Sequence, residues 1–171
     1  MSDEPAETAS SQGLTHLRAD GAVHMVDVSE KQITARRAVA LGAVVTRPDV
    51  VELVAQGRLP KGEALAVARI AGIMAAKKTP ELVPLCHPLP ITGVDVELAP
   101  VGDRIEIRAT VKTVGVTGVE MEALTAVSVA ALTVYDMIKA VDKGAVIAEV
   151  RVLEKDGGKS GPWRSDDRRE V

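Results

Sequence analysis

Hydrophobic and polar residues alternate in two neighbouring segments of the chain, residues 93–99 and 104–114, which predicts a pair of half-buried strands. The connection between them contains Pro and Gly, so the pair is predicted to form an antiparallel hairpin. Residues 145–153 alternate in the same way and predict a final strand. The β-branched residues of segment 33–46 predict a first strand, and the Arg-Pro-Asp sequence after it suits a short helix that ends near Gly57.

Hydrophobic residues recur at spacings of three and four in two other segments, and this period predicts helices. One helix is predicted over residues 61–78, with Gly72 as a point of close packing. Another, over residues 117–141, is predicted to be the longest. Thr117, followed three residues later by Glu120, has the pattern of an N-terminal helix cap.

The predicted elements follow the order strand, two helices, hairpin, helix and strand. This order fits an α+β layer of antiparallel strands with helices packed on one face. A single domain is predicted over residues 14–161. Residues 1–13 are small, polar and acidic, which predicts a disordered tail, and residues 162–171 are predicted to form a flexible C-terminal tail.

Composition narrows the classes of partner. The 171-residue chain has no Phe, one Trp and one Tyr, so it lacks the aromatic platforms that stack on single-stranded nucleic acid. Its formal net charge of −3 argues against a general surface for nucleic acid or anionic membrane, because both require a basic face. Any anionic partner is therefore expected to meet a local cationic pocket.

The uncharged stretch at residues 123–135 is shorter than the about 18 residues that span a bilayer, so no membrane-spanning helix is predicted. The N-terminal segment carries Asp3, Glu4 and Glu7 where an export signal has basic residues. A cytoplasmic location is therefore expected. Cys86 is the single cysteine and has no partner for an intramolecular disulfide.

The sequence Leu85-Cys86-His87-Pro88 places a histidine on a loop after the second helix. A lone loop histidine is more often hydrogen-bonded to backbone than catalytic, yet imidazole titrates near neutral pH and can carry protons or bind a ligand. Both interpretations of His87 stay open. Cys86 beside it is more often a small buried hydrophobic residue than a nucleophile.

Acidic residues stand at both ends of the long helix. Glu120 and Glu122 lie at its start, where they either compensate the helix dipole or serve a site. Asp136 and Lys139 share a face near its end, either as a surface ion pair or as a tuned acid–base group. On a straight helix Glu122 and Asp136 lie about 21 Å apart, so one protomer cannot easily place both around one small ligand. If both ends serve one site, a second subunit supplies one of them, and a functional monomer would refute this.

Two lysines are further candidates. Lys61 opens the predicted second helix, and Lys159 lies among the glycines of segment 157–161. Each is by default a solvated surface residue. Glycines let backbone N–H groups approach an anion, so the segment around Lys159 is either a phosphate-binding flap or a mobile tail. It is not a Walker A motif, because Pro162 follows where a helix should begin.

Six stretches, which follow one another between about Leu14 and Gly161, are long enough to be specific. They are His24-Met25-Val26-Asp27-Val28, Ala68-Arg69-Ile70-Ala71-Gly72-Ile73, Pro84-Leu85-Cys86-His87-Pro88-Leu89, Thr117-Gly118-Val119-Glu120-Met121-Glu122-Ala123-Leu124, Tyr135-Asp136-Met137-Ile138-Lys139-Ala140-Val141 and Gly158-Lys159-Ser160-Gly161. In these stretches the chain closely resembles the molybdenum cofactor biosynthesis protein C family, the cyclic pyranopterin monophosphate synthases.

The resemblance implies a lyase that converts cyclised dihydro-GTP (3',8-cyclo-7,8-dihydro-GTP) to cyclic pyranopterin monophosphate and releases pyrophosphate. It also implies a ferredoxin-like protomer in a hexamer of three dimers, with sites at the dimer interface. By resemblance, the catalytic residues are Asp136 as the principal acid–base group, Lys139 and Lys61 as proton donors or charge stabilisers, and His87 beside them. The substrate-binding residues are Leu85, Cys86, His87, Glu120, Met121, Glu122 and, near the phosphates, Lys159.

No metal-ligand cluster is evident in the sequence, because His16, His24 and His87 are scattered. No resident cofactor is expected, although a magnesium ion can arrive with the substrate triphosphate. The alternative to an enzyme is a nucleotide-binding or scaffold protein that kept the family's shape and lost turnover. Competent residue types at every proposed catalytic position weigh against that alternative.

Overall fold

A computed structural model describes residues 22–159 and 161–165 of the chain. Its elements, in chain order, are β1 (Thr34–Val45), α1 (Pro48–Ala55), α2 (Ala64–Ala76), α3 (Thr79–Leu82), β2 (Ile91–Val101), β3 (Arg104–Gly115), α4 (Glu120–Ile138), β4 (Val146–Asp156) and β5 (Trp163–Arg164). The strands form one antiparallel sheet in the order β2-β3-β1-β4-β5. The three strands and the hairpin predicted from alternation are confirmed, as is the first strand, which its β-branched residues predicted.

Helices α2 and α4 pack side by side on one face of this sheet. The fold is therefore α+β and ferredoxin-like, as predicted. Its core consists mainly of Ala, Val and Ile side chains, with Ile105, Ile107 and Val127 fully buried between the sheet and α4. Gly72 lies where α2 crosses α4, and a Cβ atom there would stand 2.9 Å from the main-chain oxygen of Ala126. The prediction of close packing at Gly72 is confirmed.

Helices α2 and α4 are both shorter than predicted, at each of their ends. Helix α2 begins at Ala64 rather than at Lys61, because Gly62 has a φ of 90° and interrupts the helix. Lys61 therefore lies in a turn. Helix α4 begins at Glu120 and has Val119 at its N-cap without a side-chain hydrogen bond, so the predicted Thr117 cap is wrong. The carboxylate of Glu120 instead accepts a hydrogen bond from Lys155.

The C-terminal part of the chain adds a short strand that alternation did not predict. Trp163 and Arg164, which the sequence analysis assigns to a tail, pair with the end of β4. The backbone N–H of Ser165 also donates to the carbonyl of Leu153, at 2.8 Å. The predicted N-terminal tail at residues 1–13 and the last residues, 166–171, lie outside the described residues.

Helix α4 is long and apolar enough, by length and composition alone, to cross a membrane. Counting uncharged residues in the sequence did not indicate this. In the fold, one face of the helix is buried against β1, β3 and β4, and another contacts α2. Packing in the domain core accounts for its apolar residues.

Candidate active site

Three charged side chains meet at the C-terminal end of α4. Lys139 lies 2.7 Å from one carboxylate oxygen of Asp136, and Lys61 lies 2.7 Å from the other. The ammonium group of Lys61 also donates to the main-chain oxygen of Asp136, at 2.8 Å. We call Lys61, Asp136 and Lys139 the lysine–aspartate cluster. The turn made by Gly62 directs Lys61 towards α4, so three of the four predicted catalytic residues lie together.

The two ammonium groups set the charge state of this cluster. Hydrogen bonds from Lys139 and Lys61 lower the pKa of the Asp136 carboxyl to about 2, so it is ionised at neutral pH. The hydrogen bond to Asp136 in turn raises the pKa of Lys139. A cluster in this state can stabilise negative charge and can donate a proton from a lysine. Asp136 can accept a proton once a lysine has moved or been neutralised.

A cavity of about 410 Å³ lies at the other end of α4. We call it the acidic cavity. Its lining includes six of the seven residues predicted to bind substrate: Leu85, Cys86, His87, Glu120, Met121 and Glu122. The loop after α3 supplies the first three, and the first turn of α4 supplies the others. The Nε2 atom of His87 lies 2.8 Å from the main-chain oxygen of Val26, which fixes the imidazole against the segment before β1.

Glu122 is a buried carboxyl group, with 3% of the residue exposed. Burial raises its pKa, and the charge of Glu120 raises it further, whereas a hydrogen bond from its own backbone N–H lowers it. Burial and then the charge of Glu122 also raise the pKa of the Cys86 thiol. Cys86 is therefore poorly suited to act as a nucleophile, in agreement with the sequence analysis. The neutral form of Glu122 is favoured compared with an exposed glutamate.

A second cavity, of about 940 Å³, adjoins the first and is rich in basic residues. We call it the cationic cavity. Its five basic side chains, Lys31, Arg36, Arg37, Lys155 and Lys159, outnumber its three carboxylates, Glu30, Glu120 and Asp156. The two cavities share the lining residues Lys31, Thr117, Gly118 and Glu120, and we call the two adjoining cavities together the cleft. Within that cleft an apolar and acidic half meets a basic half.

Two main-chain oxygens hold Arg36 in the cationic cavity. Its Nε donates to the main-chain oxygen of Gly115 at 2.9 Å, and its Nη2 donates to that of Val116 at 3.1 Å. Two glycines after β4 lie against this arginine with positive φ, Gly157 at 90° and Gly158 at 78°. A Cβ atom at Gly158 would collide with the guanidinium of Arg36. The glycines that the sequence analysis considered as a phosphate flap therefore line the cavity, and Lys159 follows them.

The sequence analysis missed Arg36 and Lys155. Arg36 lies on β1 and Lys155 on β4, and the register that pairs Ala38 with Lys155 brings these strands together. Lys155 lies 3.0 Å from Glu120, at the wall shared by the two cavities. The one available signal was the position of Lys155 just before the glycine segment. In the sequence, a charged residue on a strand that lines a cavity cannot be distinguished from one that only faces solvent.

The predicted site residues fall into two groups at opposite ends of α4. Asp136, Lys139 and Lys61 lie at its C-terminal end, whereas His87 lines the acidic cavity at its N-terminal end. Within one protomer His87 is therefore not beside the lysine–aspartate cluster, so the predicted grouping of these residues depends on the dimer interface that the resemblance implies and stays a prediction. Glu122 and Asp136, which are fourteen positions apart, are separated by about 21 Å along the helix. The individual roles of these residues stay predictions.

Metal ligands do not converge in the part of the chain that the structure describes. In residues 22–159 and 161–165, no three His, Cys, Asp or Glu side chains are grouped so that they could hold an ion. The described residues provide hydrogen bonds, fixed cations and titratable groups that can take part in a reaction. These groups suit proton transfer and the stabilisation of developing negative charge.

Three known proteins that are similar to this chain carry the same name. A protein of Corynebacterium efficiens is 66% identical over 150 residues, which are 88% of this chain and 97% of the relative. A Streptomyces avermitilis protein is 65% identical over 150 residues, 88% of each chain, and one from Dinoroseobacter shibae is 60% identical over 156 residues, 90% of this chain and 99% of the relative. All three are named cyclic pyranopterin monophosphate synthase. The MoaC family pattern matches residues 25–158, and this chain therefore belongs to the MoaC family.

Proposed function

We propose that this chain is a cyclic pyranopterin monophosphate synthase, a lyase of molybdenum cofactor biosynthesis. Its substrate would be cyclised dihydro-GTP, and its products cyclic pyranopterin monophosphate and pyrophosphate. The name of relatives that are 60–66% identical over most of their length supports this proposal. The observation that carries it is the division of the cleft into a basic half and an apolar, acidic half.

This division matches a substrate with two unlike ends. A triphosphate carries several negative charges, which the cationic cavity would bind through Arg36, Lys155 and Lys159. The nitrogen-rich ring system has little net charge and both donates and accepts hydrogen bonds, which suits Glu122, His87 and the apolar side chains of the acidic cavity. The substrate would therefore lie along the cleft and cross the wall formed by Glu120 and Lys155.

The reaction needs groups of both kinds. Opening a purine-derived ring and closing a pterin requires several proton transfers, for which Asp136, the two cluster lysines and His87 are suited. Loss of pyrophosphate develops negative charge, which Arg36 and the lysines of the cationic cavity would stabilise. Because Arg36 is already fixed by two main-chain oxygens, little reorganisation is needed when that charge appears.

A second copy of the chain would complete the site. Glu122 and Asp136 lie at equal distances along α4 from Val129. A two-fold axis near Val129 would set two α4 helices antiparallel and bring the partner's lysine–aspartate cluster to the level of the acidic cavity. The outer face of α2 and α4 exposes Val67, Ile70, Met74 and Leu132, an apolar surface that such a partner would cover. Assembly of three such dimers into a hexamer is part of the same proposal.

The proposal also covers the location of the protein in the cell, its partners and its cofactors. We expect a cytoplasmic enzyme that acts on a small molecule and has neither nucleic acid nor membrane as a partner. We expect no resident cofactor, while a magnesium ion can enter with the triphosphate. Turnover in the presence of a chelator measures that requirement directly.

The decisive experiment mixes the purified protein with freshly prepared cyclised dihydro-GTP and measures pyrophosphate and the pterin product by mass spectrometry. We expect turnover by the unsubstituted protein and its loss in Asp136→Asn, which keeps the side-chain size but removes the charge that holds both lysines. Near-normal turnover in Asp136→Asn would refute the acid–base role. Binding without turnover in the unsubstituted protein would instead favour the non-catalytic scaffold.

A further inference from the structure

A set of hydrogen bonds ties the end of α4 to the turn after β1. The carboxylate of Asp142 accepts from the Thr46 hydroxyl at 2.7 Å, from the backbone N–H of Arg47 at 3.3 Å and from that of Gly144 at 2.9 Å. In the reverse direction, the guanidinium of Arg47 donates to the main-chain oxygen of Val141 at 3.2 Å. We call Thr46, Arg47, Val141, Asp142 and Gly144 the α4 clasp.

The clasp is anchored in the rigid part of the domain. Thr46 is 6% exposed, and its backbone N–H donates to the carbonyl of Asp103 in the hairpin turn, at 2.9 Å. At the other side, the backbone N–H of Asp142 donates to the carbonyl of Ile138, the last residue of α4, at 3.0 Å. The exit of the helix is thus connected to the end of the sheet through the Asp142 carboxylate and through the guanidinium of Arg47.

The lysine–aspartate cluster needs such support. The side chains of Lys61, Asp136 and Lys139 are 40%, 54% and 52% exposed. Exposed ion pairs fix side-chain positions weakly, because water competes for both partners. Asp136 and Lys139 belong to the last turn of α4 and its C-cap, and helix ends fray where nothing holds them. The clasp acts three residues beyond Lys139.

We propose that Asp142 is a positioning residue, which holds the last turn of α4 in place so that Asp136 and Lys139 keep their ion-pair geometry with Lys61. Among residues 22–159 and 161–165, Asp142 bonds to Thr46, Arg47 and Gly144 and not to a cluster side chain, so it acts through the backbone of the helix exit. The geometric part of this proposal, that Asp142 maintains the ion pairs of Asp136, is independent of the proposed function. The catalytic part, that Asp142 supports turnover, rests on the proposed function.

The geometric part is tested by following the titration of Asp136 with carboxyl-carbon NMR in the full-length protein. In the unsubstituted protein its pKa is expected at about 2. In Asp142→Ala we expect it to rise towards the ordinary value of 3.8, because the two lysines are no longer held against it. Thr46→Val, which removes the hydroxyl at nearly constant size, should move it part of the way, and Thr46→Ser should leave it unchanged.

Asp49→Ala is the matched control. Asp49 lies on α1 and binds the guanidinium of Arg47, at 3.0 and 2.9 Å, but its loss removes none of the three hydrogen bonds that the Asp142 carboxylate accepts. Its loss should leave the Asp136 titration unchanged even if it lowers stability. An Asp136 titration that is the same in Asp142→Ala and Asp49→Ala would overturn the proposal. If Asp142→Ala does not fold, Thr46→Val against Thr46→Ser decides the same question.

Turnover provides the second measurement. We expect Asp142→Ala to lower kcat by about tenfold to a hundredfold with little change in KM, because a small displacement of catalytic groups slows chemistry more than binding. Asp49→Ala should leave both constants unchanged. An unchanged kcat in Asp142→Ala would refute the catalytic part. Suppose that Asp142→Ala shifts the Asp136 titration but the unsubstituted protein has no turnover. This result would support the role of the clasp and refute the proposed function.

Discussion

Replacing Gly158 with alanine tests whether the glycine segment serves the cationic cavity. Gly158 has a φ of 78°, a region in which an L-residue costs about 1–2 kcal/mol. The new Cβ would also collide with the guanidinium of Arg36, which is held by the main-chain oxygens of Gly115 and Val116. Arg36 must therefore move, and the loss of one hydrogen bond to a charged group costs about 1.5–3 kcal/mol. We expect weaker binding of a nucleoside triphosphate by about tenfold to a hundredfold.

Gly161→Ala separates this effect from backbone strain. Gly161 belongs to the same segment and has a φ of 65°, but a Cβ atom there would meet nothing within 4 Å. Gly161→Ala should therefore lose only the backbone contribution of about 1–2 kcal/mol to stability, without weakening the affinity. The assay is calorimetric titration with GTP, together with urea unfolding of each variant. Equal affinities in Gly158→Ala and Gly161→Ala would refute the reasoning that Gly158 is needed for the position of Arg36.

Two further predictions concern charge. Lys159→Ala should weaken binding of GTP through loss of a phosphate contact, and an affinity that is unchanged at both low and moderate salt would contradict the flap interpretation. The pKa of Asp136 is lowered in the fold, so the stability that it contributes is present above about pH 4 and is lost as the pH falls towards 2. Between these pH values, urea unfolding midpoints should fall further in the unsubstituted protein than in Asp136→Asn. Equal falls of the midpoint in the two proteins would show that the ion pairs of Asp136 do not contribute to stability.

Hydrophobic periodicity was sufficient to predict the sheet and both long helices. Alternation in β2 and β3 follows directly from having one face on the core and one in solvent, so the strands and their hairpin could be predicted from a single sequence. Helix α3 and strand β5 have four and two residues, too few to establish a period. Their existence depends on contacts with other elements, and no local pattern encodes those.

The candidate site was predicted only in part, because some of it depends on contacts between elements that are distant in sequence. Short motifs identified the groups at each end of α4, and the length of the helix indicated that one chain keeps them apart. The helix start at Ala64 depended on the backbone of Gly62, and the cavity wall on the meeting of Glu120 with Lys155. Strand pairing creates that meeting, because β1 lies between β3 and β4 in the sheet. Sequence distance gives no indication of it.

The packing of α4 makes this helix a spacer of fixed length. Substitutions along its surface leave the separation of its two ends unchanged. Insertion of one residue between Glu122 and Asp136, by contrast, would advance Asp136 by about 1.5 Å and rotate it by about 100° around the helix axis. The lysine–aspartate cluster would then lose Lys61, which is attached to a different part of the chain. Between these two residues the chain can therefore vary in composition during evolution far more freely than it can vary in length.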